Sequence, residues 1–258
     1  VTQTENTLAV RVEHRPGVVR LVLQRPAEGN ALNLQMAREA LTALRAAEAD
    51  PNVYLLTLTG EGRFFCGGGD VRSMAAREPE LRPEFLSTLA EAAHELALAM
   101  TQSRLLILAG VNGIVAGAGL GLMLNSDWVL VTEDAPLMAA YARIGLTPDT
   151  GVSYWLPRLV GHQRAVDLTL GGRRLTGSEA VDWGLANRSV PAAEFAQRLT
   201  ETEDRFLHGA RHALFPTKQL LRSEHDGYEA HLKAESAKIA ELSGHPDSIE
   251  LVDRFAGK

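Results

Sequence analysis

Two glycine-rich stretches constrain this chain more than any other feature. One is Phe64-Phe65-Cys66-Gly67-Gly68-Gly69-Asp70; the other is Val111-Asn112-Gly113 running on to Gly117-Ala118-Gly119-Leu120-Gly121. Each follows an apolar, strand-like run and leads into a helical pattern, so the chain turns two corners on nearly bare backbone. Glycine permits positive φ and close approach, and the first N–H groups of a helix are unpaired donors. Donors from both corners converging on one oxygen would stabilise negative charge as it develops on a carbonyl. The plain alternative for the first stretch is a surface loop in which Asp70 caps the next helix. The apolar Phe64-Phe65-Cys66 lead-in argues instead for a loop emerging from the core. The second stretch could be taken for a dinucleotide fingerprint, but its spacing is G-x-G-x-G and it lies mid-chain. Close helix–strand packing would also explain its small residues.

Around these corners the pattern alternates. Leu8 to Glu13 and Val18 to Leu23 read as strands about the Arg15-Pro16-Gly17 turn. Asn33 is placed to cap a helix with Met36, Leu41 and Leu44 on its apolar face. Val53 to Leu58, Leu105 to Val111 and Trp128 to Thr132 read as buried strands, and Phe85 to Met100 as a long helix. Val71 to Pro83 is charged, has no regular period and reads as irregular. From His162 onward the periodicity is helical, over Ala165–Leu170, Ser178–Trp183, Ala192–His208, Phe215–Arg222 and Tyr228–Leu242. The alternation predicts an α/β layout, with a core over residues 1–195 and a helical region over 196–258.

The 258 residues, 45% of them hydrophobic, suffice for one large domain. A net charge of -6 argues against nucleic acid as a general partner. No apolar run is long enough to cross a bilayer, and Val1 to Thr7 has no apolar signal core. The single cysteine, Cys66, fits a reducing cytosol. A cytoplasmic location is expected. His208 and His212 share a helical face, yet the sequence offers no third ligand beside them, so no metal site is expected. Gly151-Val152-Ser153-Tyr154-Trp155 lacks the second glycine of a nucleophile elbow. Cys66 has no neighbouring histidine and reads as a small buried thiol.

Asn30-Ala31-Leu32-Asn33, Phe65 to Asp70, and Val111-Asn112-Gly113, in that order and spacing, resemble the enoyl-CoA hydratase/isomerase (crotonase) superfamily. Ser126-Asp127, Gly145 to Asp149, Leu175-Thr176-Gly177, Ala180 to Leu185 and the Glu250–Lys258 ending extend the resemblance along essentially the whole chain. It implies a crotonase-like spiral of ββα units with a C-terminal helical trimerisation region, assembled as a homotrimer or homohexamer. It implies an acyl-CoA substrate, with coenzyme A carried by that substrate and no separate cofactor. The thioester carbonyl would lie between the amides of Gly69 and Ala118, with the α-helix dipole behind Ala118 adding to the stabilisation. Cys66, Gly67, Asp70 and Val71 would border the substrate. A strand-like Gly69–Arg72 would flank the adenine, and Arg72, Lys218 and Lys258 are candidate partners of the phosphates. Phe255 would either touch coenzyme A or simply pack.

Hydratases of the superfamily use two glutamates; this chain has Gly121 and Tyr141 at those places. Holding and deprotonating a water would need such a group. Asp149, in Pro148-Asp149-Thr150-Gly151, stands where double-bond isomerases of the superfamily, including dienoyl-CoA and ring-epoxide phenylacetyl-CoA types, carry an aspartate. A carboxylate in an apolar pocket has its pKa raised, which suits it to shuttling one proton. The plain alternative for Asp149 is a turn cap after Pro148, and for Tyr141 a buried phenol satisfied by backbone. Leu137, Tyr141, Tyr154 and Trp155 are candidate linings of an acyl tunnel. The expected activity is isomerisation of an acyl-CoA through a thioester enolate. The alternatives are a hydratase using substituted residues, an acyl-CoA binder without chemistry and, least favoured, a nicotinamide-dependent oxidoreductase.

Overall fold

The computed structural model describes residues 8–223 and 227–255. Strands β1 (Val10–Arg15) and β2 (Val18–Leu23) form an antiparallel hairpin, its turn allowed by the positive φ of Gly17 (79°). Helix α1 (Leu34–Ala49) follows, its first turn capped by Asn33, whose side chain accepts from Met36 N–H. The chain then winds through β3 (Leu55–Gly60), β4 (Phe64–Cys66), α2 (Val71–Ala75) and α3 (Arg82–Gln102). A second turn comprises β5 (Leu106–Val111), β6 (Ile114–Ala116) and α4 (Ala118–Leu124). A third comprises β7 (Trp128–Thr132), β8 (Leu137–Met138) and α5 (Val152–Val160). Helices α6 (His162–Thr169) and α7 (Gly177–Asp182), then β9 (Arg188–Val190), lead into α8 (Phe195–Leu207), α9 (Arg211–Arg222), α10 (Tyr228–Ser243) and α11 (Pro246–Phe255).

Each turn gives one strand to a six-stranded sheet, ordered β1-β2-β3-β5-β7-β9, and one to a three-stranded parallel sheet, ordered β4-β6-β8. This is the predicted spiral of ββα units. Beyond the opening hairpin the large sheet is parallel, and its strands read as continuous apolar runs because both faces are covered. Leu56, Leu58, Ile107, Ala109 and Val131 pack under α1 and α3, while Leu55, Leu108 and Leu130 pack toward Phe195 and Leu199 of α8. Glu203 of α8, fully buried, is held by Arg20 (2.7 Å), Thr57 (2.8 Å) and Arg15, which ties that helix to the sheet. The segment after Asp70 departs from expectation. Val71–Ala75 is helical because the Asp70 carboxylate accepts Ser73 N–H, and α3 starts at Arg82 with Pro83 in its first turn.

Candidate active site

Both glycine corners sit at the carboxyl ends of adjacent strands, β4 and β6, of the small sheet. Gly117 opens α4 at φ 51°, and Gly68 has φ 103°. A methyl placed on Gly117 would lie 3.5 Å from Gly68 Cα, so the corners touch at these residues. Gly119 and Gly121 are small for a different reason. A Cβ on Gly119 would fall 2.3 Å from Cys66 O, and one on Gly121 2.6 Å from Thr150. The G-x-G-x-G run therefore records one positive φ and two close helix contacts rather than a pyrophosphate cradle.

The loop hydrogen bonds engage the amides of Gly67, Asp70 and Val71 on one corner and of Gly117 and Leu120 on the other. Among the described residues they pass over the amides of Gly69 and Ala118. Both residues line a cavity of about 230 Å³ together with Leu32, Met74, Leu86, Leu89, Ile144 and Leu146. Asp149 lines it too. The Tyr141 hydroxyl donates to Asp149 Oδ1 (2.7 Å), and so does the Thr150 hydroxyl (2.9 Å). Both bonds fall on one oxygen; among the described residues Oδ2 has no hydrogen-bond partner. Burial, reinforced by the neighbouring Asp149 charge, pushes the Tyr141 phenol far above its usual range, so it remains a donor. The expectation of a backbone-satisfied tyrosine is thus replaced by a direct tie to the carboxylate.

The backbone around this pair is strained. Ala140, just before Tyr141, has φ 62°, and Thr150, just after Asp149, has φ 50°. For a β-branched residue that conformation costs of order 1–3 kcal/mol. The buried Asn125 side chain holds Thr150 there: its Nδ2 donates to Thr150 O (2.8 Å) and Gly121 O (2.8 Å), while its Oδ1 accepts from Trp155 Nε1 (2.9 Å). The sequence reading missed Thr150 and Asn125. Neither carries a motif of its own, and their roles depend on a fold that brings α4 against the Asp149 loop.

Asp70, the other carboxylate lining the cavity, is already committed. It caps α2 and pairs with Arg25 at 3.0 Å. Burial alone would raise its pKa, but the bonds from Ser73 and the Arg25 charge hold it below the usual range.

Several expected neighbours lie elsewhere. Cys66 is fully buried behind the corner and packs against Gly119; burial pushes its thiol up to about 11. Only Gly69 of the Gly69–Arg72 stretch is strand-like, through a bridge to Leu32, because Val71 and Arg72 start α2. Arg72 instead lines an adjoining cleft with Arg63, Phe64 and Gly69. Lys218 is no phosphate partner here: its buried ammonium meets Asp127 (2.8 Å), Leu105 O (2.9 Å) and Met100 O (3.0 Å). Phe255 is 97% exposed on α11 and lines neither cavity, and Lys258 lies outside the described residues. Of the expected tunnel lining, Leu137 is in the core, Trp155 is bound to Asn125 and Tyr154 lies under Arg158; Tyr141 alone reaches the cavity.

The model of the family described as enoyl-CoA hydratase/isomerase matches residues 13–258. The chain belongs to this family. It is 35% identical over 235 residues to a probable enoyl-CoA hydratase of Rhodobacter capsulatus, covering 91% of this chain and 88% of that one. It is 30% identical over 250 residues to 4-chlorobenzoyl coenzyme A dehalogenase-2 of an Arthrobacter species, covering 96% and 91%. It is 32% identical over 186 residues to 1,2-epoxyphenylacetyl-CoA isomerase of Escherichia coli, covering 71% of each. Among solved structures, an enoyl-CoA hydratase from Bacillus anthracis superposes with a TM-score of 0.89 at 25% identity, covering 96% of both chains. The fold is that of the family, and relatives of comparable identity carry out different reactions on acyl-CoA thioesters. Among the described residues no helix is long and apolar enough to cross a membrane.

Proposed function

We propose that the chain is an acyl-CoA isomerase that moves a carbon–carbon double bond through a thioester enolate. The observation carrying this reading is that one carboxylate with an oxygen to spare, Asp149, shares an apolar cavity with two unengaged amides. With the thioester oxygen between the amides of Gly69 and Ala118, the α-proton becomes acidic. Asp149 takes it from C2 of a 3-enoyl thioester, giving a dienolate whose negative oxygen the amides hold. The same carboxyl returns the proton at C4, leaving a 2-enoyl thioester. The phenol of Tyr141 and the hydroxyl of Thr150 fix the carboxylate while this happens. Arg72 and Arg63, in the adjoining cleft, are suited to the phosphates of the coenzyme. Water addition is disfavoured because neither Gly121 nor Tyr141 supplies a second carboxylate. The exposed apolar residues of α10 and α11, among them Tyr228, Ile239, Val252 and Phe255, are suited to contacts between copies in a trimer or hexamer.

The test is turnover of 3-enoyl-CoA beside 2-enoyl-CoA, followed by conjugation and by water uptake. Asp149→Asn is expected to lower isomerisation by about 10²–10⁴-fold while acyl-CoA affinity stays within a few-fold. Full activity in that variant overturns the assignment, and acyl-CoA binding without turnover of any substrate would favour a binder. One second reading has a specific observation behind it, the full-length likeness to a dehalogenase. There Asp149 would attack the halogen-bearing carbon of a ring whose thioester carbonyl is held by the amides, expelling halide, and water would hydrolyse the resulting ester. Chloride release from 4-chlorobenzoyl-CoA distinguishes it.

A further inference from the structure

At the far end of the chain His212 meets two metal-ligating side chains, His245 and Asp247, that lie more than thirty residues further on. His212 is the second residue of α9, His245 lies in the turn joining α10 to α11, and Asp247 is in the first turn of α11. One ligand atom from each lies within 4.8 Å of the others. The imidazoles of His212 and His245 stack with centroids 4.3 Å apart and planes 4° from parallel. His208 and His212, which the spacing puts on one helical face, instead fall on two elements, the end of α8 and the start of α9.

His212 points to a missing partner. Its side chain is 10% exposed, and its Nε2 bonds Ser248 Oγ at 2.7 Å. Its Nδ1 is buried without a hydrogen bond, 3.6 Å from Asp247 Oδ2. When Nε2 is the donor to Ser248, the buried Nδ1 presents a bare lone pair toward the exposed carboxylate of Asp247. Such an arrangement is unfavourable until something positive lies between them.

We propose that His212, His245 and Asp247 form a binding site for one divalent transition metal ion of the zinc class. Two imidazoles and a carboxylate are a donor set suited to zinc, cobalt or nickel rather than magnesium or calcium. Tetrahedral zinc with bonds of about 2.0–2.1 Å holds its ligand atoms roughly 3.4 Å apart. The His212–Asp247 separation is already close to that, and rotation of the exposed Asp247 and of the His245 ring closes the rest. Solvent takes the fourth position. The ion would fasten the α10–α11 turn to the start of α9, and none of its three ligands lines the cavity that holds Asp149.

The experiment uses the full chain without a histidine tag, stripped with chelator and titrated with Zn²⁺ by calorimetry, with Co²⁺ as the optical probe. One ion per chain is expected, with a cobalt spectrum of tetrahedral type and a rise of several degrees in the melting temperature. His245→Ala and Asp247→Asn are each expected to weaken binding beyond the roughly 10–100-fold lost with an outer-shell partner. His208→Ala, on an exposed side chain bonded to its own helix, should bind as the parent does. Equal zinc affinity in the parent and in His245→Ala overturns the proposal, as does an equal loss in His208→Ala.

Discussion

At the scale of single residues, the decisive arrangement is a carboxylate whose two oxygens have different company. Asp149 Oδ1 accepts from Tyr141 and Thr150, while Oδ2 has no hydrogen-bond partner among the described residues and the side chain lines the cavity. Tyr141→Phe keeps the ring and removes one donor to a charged group. It is expected to lower kcat about tenfold, equivalent to about 1.4 kcal/mol, with acyl-CoA affinity little changed, as steady-state kinetics and equilibrium binding will show. An unchanged kcat would make the phenol mere packing. Cys66 supplies a contrasting case. With its thiol pushed up to about 11 by burial, it carries almost no thiolate near neutral pH. The folded chain should resist iodoacetamide at pH 7, and labelling should appear only with unfolding. Rapid native labelling would mean that the corner opens.

Among elements, α9 shows how a charged residue on an amphipathic helix can belong to the core. Lys218 reaches the carbonyls that end α3 and precede β5, and it joins Arg222 on Asp127, whose Oδ2 also accepts Ile107 N–H. Burial lowers the Lys218 pKa, and the Asp127 charge and hydrogen bond oppose that shift. Lys218→Met should cost about 3 kcal/mol in urea unfolding, since it strips a buried carboxylate and two carbonyls of a donor. Acyl-CoA affinity should be unaffected. A weakened affinity with unchanged stability would restore the phosphate role expected from sequence.

Over the whole molecule, what the sequence revealed followed from local physics. The buried strands, the capped start of α1 and the α/β alternation were readable because apolar runs and Asn33 act over a few residues. The short strands β6, β8 and β9, two or three residues each, leave too little pattern to detect. The corners and Asp149 were legible through glycine and through the resemblance. Thr150 and Asn125 were not, since they act on residues 25 or more positions away or through an improbable backbone angle. Lys218 misled because a lone basic residue on a helix reads as solvated, and only the packing of α9 reveals otherwise. His245 and Asp247 were invisible as partners of His212 because a helix and a turn separate them.

The bare backbone of Gly121 and the strained Thr150 depend on each other. Thr150 occupies the space that any larger residue there would need. A glutamate at that place is incompatible with this Thr150 conformation, because its Cβ would fall 2.6 Å from Thr150. Replacing the glycine alone would meet both the carbonyl and the side chain of Thr150, so a second carboxylate can enter here only if the loop that carries Asp149 gives way with it.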